Sequence, residues 1–225
     1  TNQAYNSSNQ MTKQSWQVGG DSYAQDFTYN SSDGSLNTFA ISRNGSELTK
    51  FTMGYDGLRR LTSMSSGIFT RNYAYRDISG SQTTTQVQSV EYTKAPFGTP
   101  FTSAKYSYTY DDAGNILTAT DYSSNGATYT YDNQGQLLTE QGNVSGFGGA
   151  PFNYSGTYTY DTVGNILTAS DGETTHTYTY GDSEWKDLLT AYDGESITYD
   201  AIGNPTSYYN GNRWTFGWEN GRQLT

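Results

Sequence analysis

The sequence predicts an all-β protein, a repeat array of antiparallel β-hairpins laid side by side in a curved or spiralling sheet. Three observations predict it. The motif Tyr-Thr-Tyr-Asp-x-x-Gly-x-Ile-Leu-Thr occurs twice almost letter for letter, from Tyr108 to Thr118 and from Tyr158 to Thr168, with looser copies from Tyr129 to Thr139 and from Ile197 to Thr206. Self-similarity at a period of about 20 residues marks a repeat architecture. No stretch holds a helical periodicity; at most a short helical turn fits Ser183 to Leu189.

Each part of the motif has a local reason. Tyr108 and Tyr110 are two residues apart, so on a strand they share one face while Ser107 and Thr109 share the other. Tyr and Thr both favour extended, half-buried positions. Asp111 then opens a four-residue segment closed by Gly114. Aspartate at the first position of a type I turn accepts a backbone N–H two residues on, and glycine at the fourth tolerates positive φ. From Asn115 to Thr120 the chain returns as a second strand. The same places are held by Tyr131, Asp132 and Gly135, by Tyr160, Asp161 and Gly164, and by Tyr199, Asp200 and Gly203.

The whole of 1–225 reads as a single array, with degenerate repeats over 1–105 and clear ones over 106–225. Upstream, Phe27 to Gly34 keeps an aromatic strand and a stretched turn. Met53 to Thr62 keeps Tyr55, Asp56 and the later Leu61, while Tyr73 to Gly80 has Arg76 in place of the aspartate. Downstream, Tyr178 to Thr190 widens the turn, and Trp214 to Thr225 substitutes larger aromatics and stops in mid-strand, as a piece of a longer protein would. Lys94 to Phe101, with two prolines and a glycine, reads as a loop. Glycine-rich 141–151 reads as a loop insertion, of the kind that repeat proteins place on one rim.

The pattern Tyr-x-Tyr-Asp-x-x-Gly-x-Leu, ending in Trp218-Glu-Asn-Gly-Arg-Gln-Leu224, resembles the YD-repeat or Rhs-repeat family. The resemblance covers nearly the whole chain and is firm from Tyr106 to Leu224. It implies a β-hairpin ribbon forming part of an Rhs-type shell in a secreted or cell-surface protein, bacterial in the toxin and wall-associated members. The partners it implies are flanking repeats and a cargo domain of the same polypeptide. The family's autoproteolytic segment has no matching residues here, so no enzymatic activity is carried over.

Composition points the same way. Only 33% of residues are hydrophobic while 16% are aromatic, mostly the 22 tyrosines, and the mean hydropathy is −0.78. A tyrosine buries a broad ring but needs a partner for its hydroxyl, which suits one sheet with water nearby better than a thick sandwich. Cysteine is absent, which excludes disulfides and thiolate chemistry. No apolar run reaches the roughly 20 residues of a membrane helix, so no membrane insertion is expected. A net charge of −10 argues against a nucleic-acid surface, which needs clustered Lys and Arg.

The residues that carry chemistry elsewhere read here as structure. His176, the single histidine, shares parity with Tyr178 and Tyr180 and replaces an aromatic in the stacked face. Alone it cannot build a zinc site or a triad. The repeated aspartates lack the alternate-residue spacing of a calcium loop, and a catalytic group would be needed only once; no metal or cofactor is expected. Asp182, Glu184, Asp187, Asp193 and Glu195 cluster in one irregular stretch, but a glycosidase pair is defined by separation in space. Gly146 to Gly149 lacks the Lys and Ser/Thr of a phosphate loop. Trp16, Trp185, Trp214 and Trp218 read as hairpin packing. Trp185, in the widened turn, departs from the repeat and is the candidate ligand-facing residue for surface glycans or a partner protein.

Overall fold

The computed structural model describes residues 1–78, 82–123, 125–144 and 152–225. Among them there are strands and turns and no helix. In chain order the strands are β1 (Asn2–Tyr5), β2 (Met11–Val18), β3 (Asp21–Tyr29), β4 (Leu36–Arg43), β5 (Ser46–Tyr55), β6 (Leu61–Ser66), β7 (Phe69–Ile78), β8 (Gln82–Lys94), β9 (Phe101–Tyr110), β10 (Ile116–Asp121) and β11 (Gly126–Tyr131). They continue with β12 (Leu137–Val144), β13 (Phe152–Tyr160), β14 (Ile166–Ser170), β15 (Thr175–Thr179), β16 (Ala191–Tyr192), β17 (Glu195–Ser196), β18 (Thr198–Tyr199), β19 (Pro205–Tyr209), β20 (Arg213–Thr215), β21 (Trp218–Glu219) and β22 (Gln223–Leu224). Two compact units result, 1–109 with 119–124, and 110–118 with 125–225.

Within the first unit each strand from β1 to β9 pairs antiparallel with the next. The second runs the same way from β11 to β17, then from β18 to β20, and closes with β21 on β22. The register repeats. Tyr5 faces Met11, Tyr29 faces Leu36, Tyr55 faces Leu61, Tyr131 faces Leu137, Tyr160 faces Ile166 and Tyr199 faces Pro205, each with a register shift just before the tyrosine. Such a bulge bends the strand into its turn.

Directly paired residues share a face, so the tyrosines and the apolar residue after each turn lie together. The opposite face carries threonines. Thr28 meets Thr38 at 2.7 Å, Thr130 meets Thr139 at 2.6 Å, and Thr159 meets Thr168 at 2.6 Å, hydroxyl to hydroxyl. The middle and last threonines of the motif are therefore partners across the hairpin.

Far ends of several hairpins close differently. Asn44-Gly45 and Asp193-Gly194 have φ of 51° and 80°, and 50° and 81°. Two successive positive values are the signature of the two-residue turn whose twist matches that of its strands.

No large side chain among the described residues is fully buried; the buried residues are Ala24, Ala127 and Asn204, at 9%, 7% and 5% exposure, and Gly156. Packing is therefore lateral, along the sheet. Phe27, Phe39 and Phe51 follow one another across β3, β4 and β5, with ring centroids 5.3 and 6.0 Å apart.

Three expectations are refined. Ser183 to Leu189 forms bends and a turn rather than a helical turn, because Asp182 Oδ1 takes the N–H groups of Glu184 and Trp185. Gln141 to Val144 are strand, paired with Phe152 to Ser155, so the insertion expected over 141–151 starts later; 145–151, with Gly146 to Gly149, lie outside the described residues. At Arg76 the chain does not turn: β7 runs on to Ile78 with two register shifts near Tyr75.

Candidate functional site

The feature that recurs is the turn itself, and each of its letters has an atomic task. In the turn opened by Asp161, Oδ1 accepts the N–H of Val163 and of Asn165, both at 2.9 Å, and Oδ2 accepts the Asn165 amide at 2.8 Å. The backbone closes the same loop, Gly164 N–H to Asp161 carbonyl and Asp161 N–H to Asn165 carbonyl. Asp200 repeats this with Ile202 and Asn204, Asp132 with Gln134 and Gln136, and Asp111 with Asn115. Gly114, Gly135, Gly164 and Gly203 stand at φ of 97°, 80°, 99° and 85°, where an L side chain is strained.

These carboxylates are committed to the backbone. The Asn115 side chain, followed by backbone N–H groups, holds the Asp111 carboxyl below the usual range. Asp200 is lowered chiefly by the Asn204 N–H. Asp161 and Asp200 each accept three hydrogen bonds over their two oxygens, which suits a turn clamp.

Two degenerate turns prove equivalent. Asp56 Oδ1 accepts Leu58 and Arg60 N–H groups, and Arg60 supplies the side-chain bond to Oδ2. Asn6 Oδ1 likewise accepts the N–H groups of Ser8 and Gln10, while its amide nitrogen donates to Gln10 Oε1. Arg59 and Asn9 stand in the glycine place, at φ of 63° and 59°. The turn at Asn6 escaped the sequence reading, although Tyr5-Asn6 followed by Met11 has the motif spacing.

The motif also links one hairpin to the next. In six repeats the tyrosine at the motif's strand end donates its hydroxyl to the carbonyl of the residue that follows the preceding turn. Tyr29 reaches Met11 at 2.8 Å, Tyr55 reaches Leu36 at 2.9 Å, and Tyr75 reaches Leu61 at 2.8 Å. Tyr131 reaches Ile116 at 2.9 Å, Tyr160 reaches Leu137 at 2.9 Å, and Tyr199 reaches Leu189 at 2.6 Å. Trp218 takes the same place, its indole N–H 2.7 Å from the Pro205 carbonyl while it pairs with Leu224. The last residue of the turn forms a second link: Gln10 bonds the Gly34 carbonyl, Asn165 that of Lys186, and buried Asn204 that of Gly221.

Residues 110–147 match the family described as RHS Repeat, and that span contains the turns opened by Asp111 and Asp132. Residues 110–147 thus carry an RHS repeat. Among solved structures it is similar to a chain of the Photorhabdus luminescens Tc holotoxin pore bearing a TccC3 mutation, with a TM-score of 0.66 and 16% identity over 99% of this chain and 12% of that one. It is also similar to TcdB2–TccC3 without its hypervariable C-terminal region, with a TM-score of 0.62 and 16% identity over 91% of this chain and 12% of that one. At such identity the likeness is one of fold, and the chain spans about an eighth of those proteins (12% of each). No curated protein matches it.

The remaining candidates fall as follows. Trp185 is 47% exposed, yet its ring lies against Gly203, where any added Cβ would collide with it. His176 stacks on Tyr192 at 5.3 Å and 17°, and its Nδ1 is 2.7 Å from Asp193 Oδ2. That bond, with the Thr177 N–H, holds the Asp193 carboxyl low. Asp182, Glu184 and Asp187 lie in the widened turn before β16, Asp193 opens the turn after it, and Glu195 follows that turn. Asp182 and Asp193 are engaged with backbone N–H groups.

Proposed function

We infer that the chain is a non-enzymatic structural segment of a secreted or cell-surface bacterial RHS-repeat protein, a single array of hairpins forming part of a shell or scaffold that encloses or presents another domain. One observation carries this reading. The motif residues are spent on holding hairpin to hairpin, through tyrosine hydroxyls to backbone carbonyls and turn amides to the next turn. The fold likeness to Tc toxin chains, one of them described as lacking its hypervariable C-terminal region, supports a partner domain within the same polypeptide.

The test uses the full-length protein. Limited proteolysis should leave the domain that follows the repeats intact at protease levels that digest it when it is expressed alone. Equal digestion in both forms would defeat enclosure, and turnover on a polysaccharide panel would defeat the non-enzymatic reading.

A binding role is the second reading, favoured by the half-exposed ring of Trp185. A glycan array probed with the wild-type chain and Trp185→Ala separates the two. Saturable binding lost in the variant supports a surface module; no binding by either protein returns Trp185 to packing against Gly203.

A further inference from the structure

The tyrosine face is not equipped alike along the chain. In the first unit it carries its own cations: the Arg60 guanidinium lies 4.2 Å over the Tyr75 ring, Arg71 lies 5.0 Å over Tyr92, and the Lys94 ammonium lies 5.4 Å over Phe69. In the second unit the sequence from 110 to 225 has only Lys186, Arg213 and Arg222 as cations. None of these lines the groove of about 960 Å³ that opens between Gly126 and His176.

That groove combines rings with carboxylates. Gly142 pairs with Tyr154, and Gly156 with Glu140; a Cβ on Gly142 would overlap the Tyr154 ring, and one on Gly156 would crowd Glu140. The two glycines therefore let Tyr154 and Glu140 lie flat across the sheet, which shapes the groove floor. The Tyr158 hydroxyl donates to Glu140 Oε1 at 2.7 Å, leaving Oε2 for a further donor. Asp171, Glu173 and His176 border the far side.

The geometry points to this groove as a docking site for an extended, arginine-bearing peptide segment. Its lining comes from five successive strands, β11 to β15, a width of about 19 Å at about 4.8 Å per strand. That spans roughly six extended residues, more than a single guanidinium compound fills. A guanidinium can stack on a tyrosine face while its fork reaches a carboxylate, which an ammonium does less well. The first unit shows that this face accepts cations over its rings, and the groove supplies the opposite charge with no lysine or arginine of its own. The proposal is independent of enclosure: a groove that takes such a segment does so whether or not the repeats surround a domain.

Fluorescence anisotropy on the 225-residue chain tests it, with a labelled eight-residue alternating Arg-Ser peptide and its Glu-Ser counterpart as probes. Saturable binding of the arginine peptide alone is expected. Glu140→Gln, which keeps an acceptor for Tyr158, should weaken it about tenfold, as loss of a charged hydrogen bond does. Glu173→Gln should weaken it less, and Glu219→Gln, outside the groove, should leave it unchanged. No saturable binding, equal binding of the glutamate peptide, or the same loss in Glu219→Gln as in Glu140→Gln would each overturn the proposal. The protease-protection result stands or falls separately.

Discussion

Arg59 shows what a single backbone angle is worth. It occupies the fourth turn position at a φ of 63°, where four of the other repeats place glycine. The left-handed conformation costs an L residue about 1–2 kcal/mol, partly offset here by the weak 3.7 Å approach of Arg59 to Asp33. Arg59→Gly should therefore raise stability by up to about 1 kcal/mol. Gly203→Ala should do the reverse and by more, since its φ is 85° and its Cβ would meet the Trp185 ring; a loss of about 2 kcal/mol or more is expected. Urea denaturation of both variants checks the pair. Opposite signs are required, and equal shifts would remove the argument.

Across an element, the unit of cohesion is the hairpin bound to its predecessor. Tyr160→Phe keeps the ring and deletes only the hydroxyl that reaches the Leu137 carbonyl. A neutral hydrogen bond contributes about 0.5–1.5 kcal/mol, and a loss of that size is expected in thermal or urea unfolding. Trp218→Phe should behave alike, because its indole N–H serves the same place on Pro205. Hydrogen exchange should locate the effect: amides of β12 and β13 should open faster in Tyr160→Phe, while those of β3 and β4 stay unchanged. Uniform loosening would mean that the links act through general packing. The sequence announced Tyr160 and Asp161 as a strand end and a turn, but not this bond, because its acceptor is a main-chain carbonyl and carries no letter.

For the molecule as a whole, the absence of a large buried side chain among the described residues leaves the turns and lateral contacts to hold the sheet. Acid should therefore attack it through its aspartates. Asp56 is lowered chiefly by the Arg60 N–H, Asp111 by the Asn115 side chain, and Asp200 by the Asn204 N–H. With the folded pKa below the unfolded one of about 3.9, the unfolded chain binds protons first as pH falls. The contribution is complete above the unfolded value and is lost as pH drops through the folded one. Thermal midpoints should be flat from pH 7 to about 5 and should fall steeply below about 4. A midpoint unchanged down to about pH 2 would contradict the turn clamp. Asn6, which closes its turn without a carboxylate, shows that an amide can serve, so Asp111→Asn with Asp200→Asn should blunt the acid loss.

The letters by themselves determined the strands, the turns and their repetition, because alternation, turn aspartates and positive-φ glycines act within a few residues of one another. They also placed His176 among the rings, and it does stack on Tyr192. Two far-end turns, Asn44-Gly45 and Asp193-Gly194, were legible too as two-residue Asn-Gly and Asp-Gly signals, but they lie outside the Tyr-Asp period on which the sequence reading rests. Only the tertiary structure decided which carbonyl each tyrosine reaches, that Trp218 stands in for one, that Asp193 holds His176, and that Gly142 and Gly156 open a groove beneath Tyr154 and Glu140. Those depend on register between residues 10 to 23 apart in the chain, and a single shifted residue would turn every one of these side chains to the threonine face.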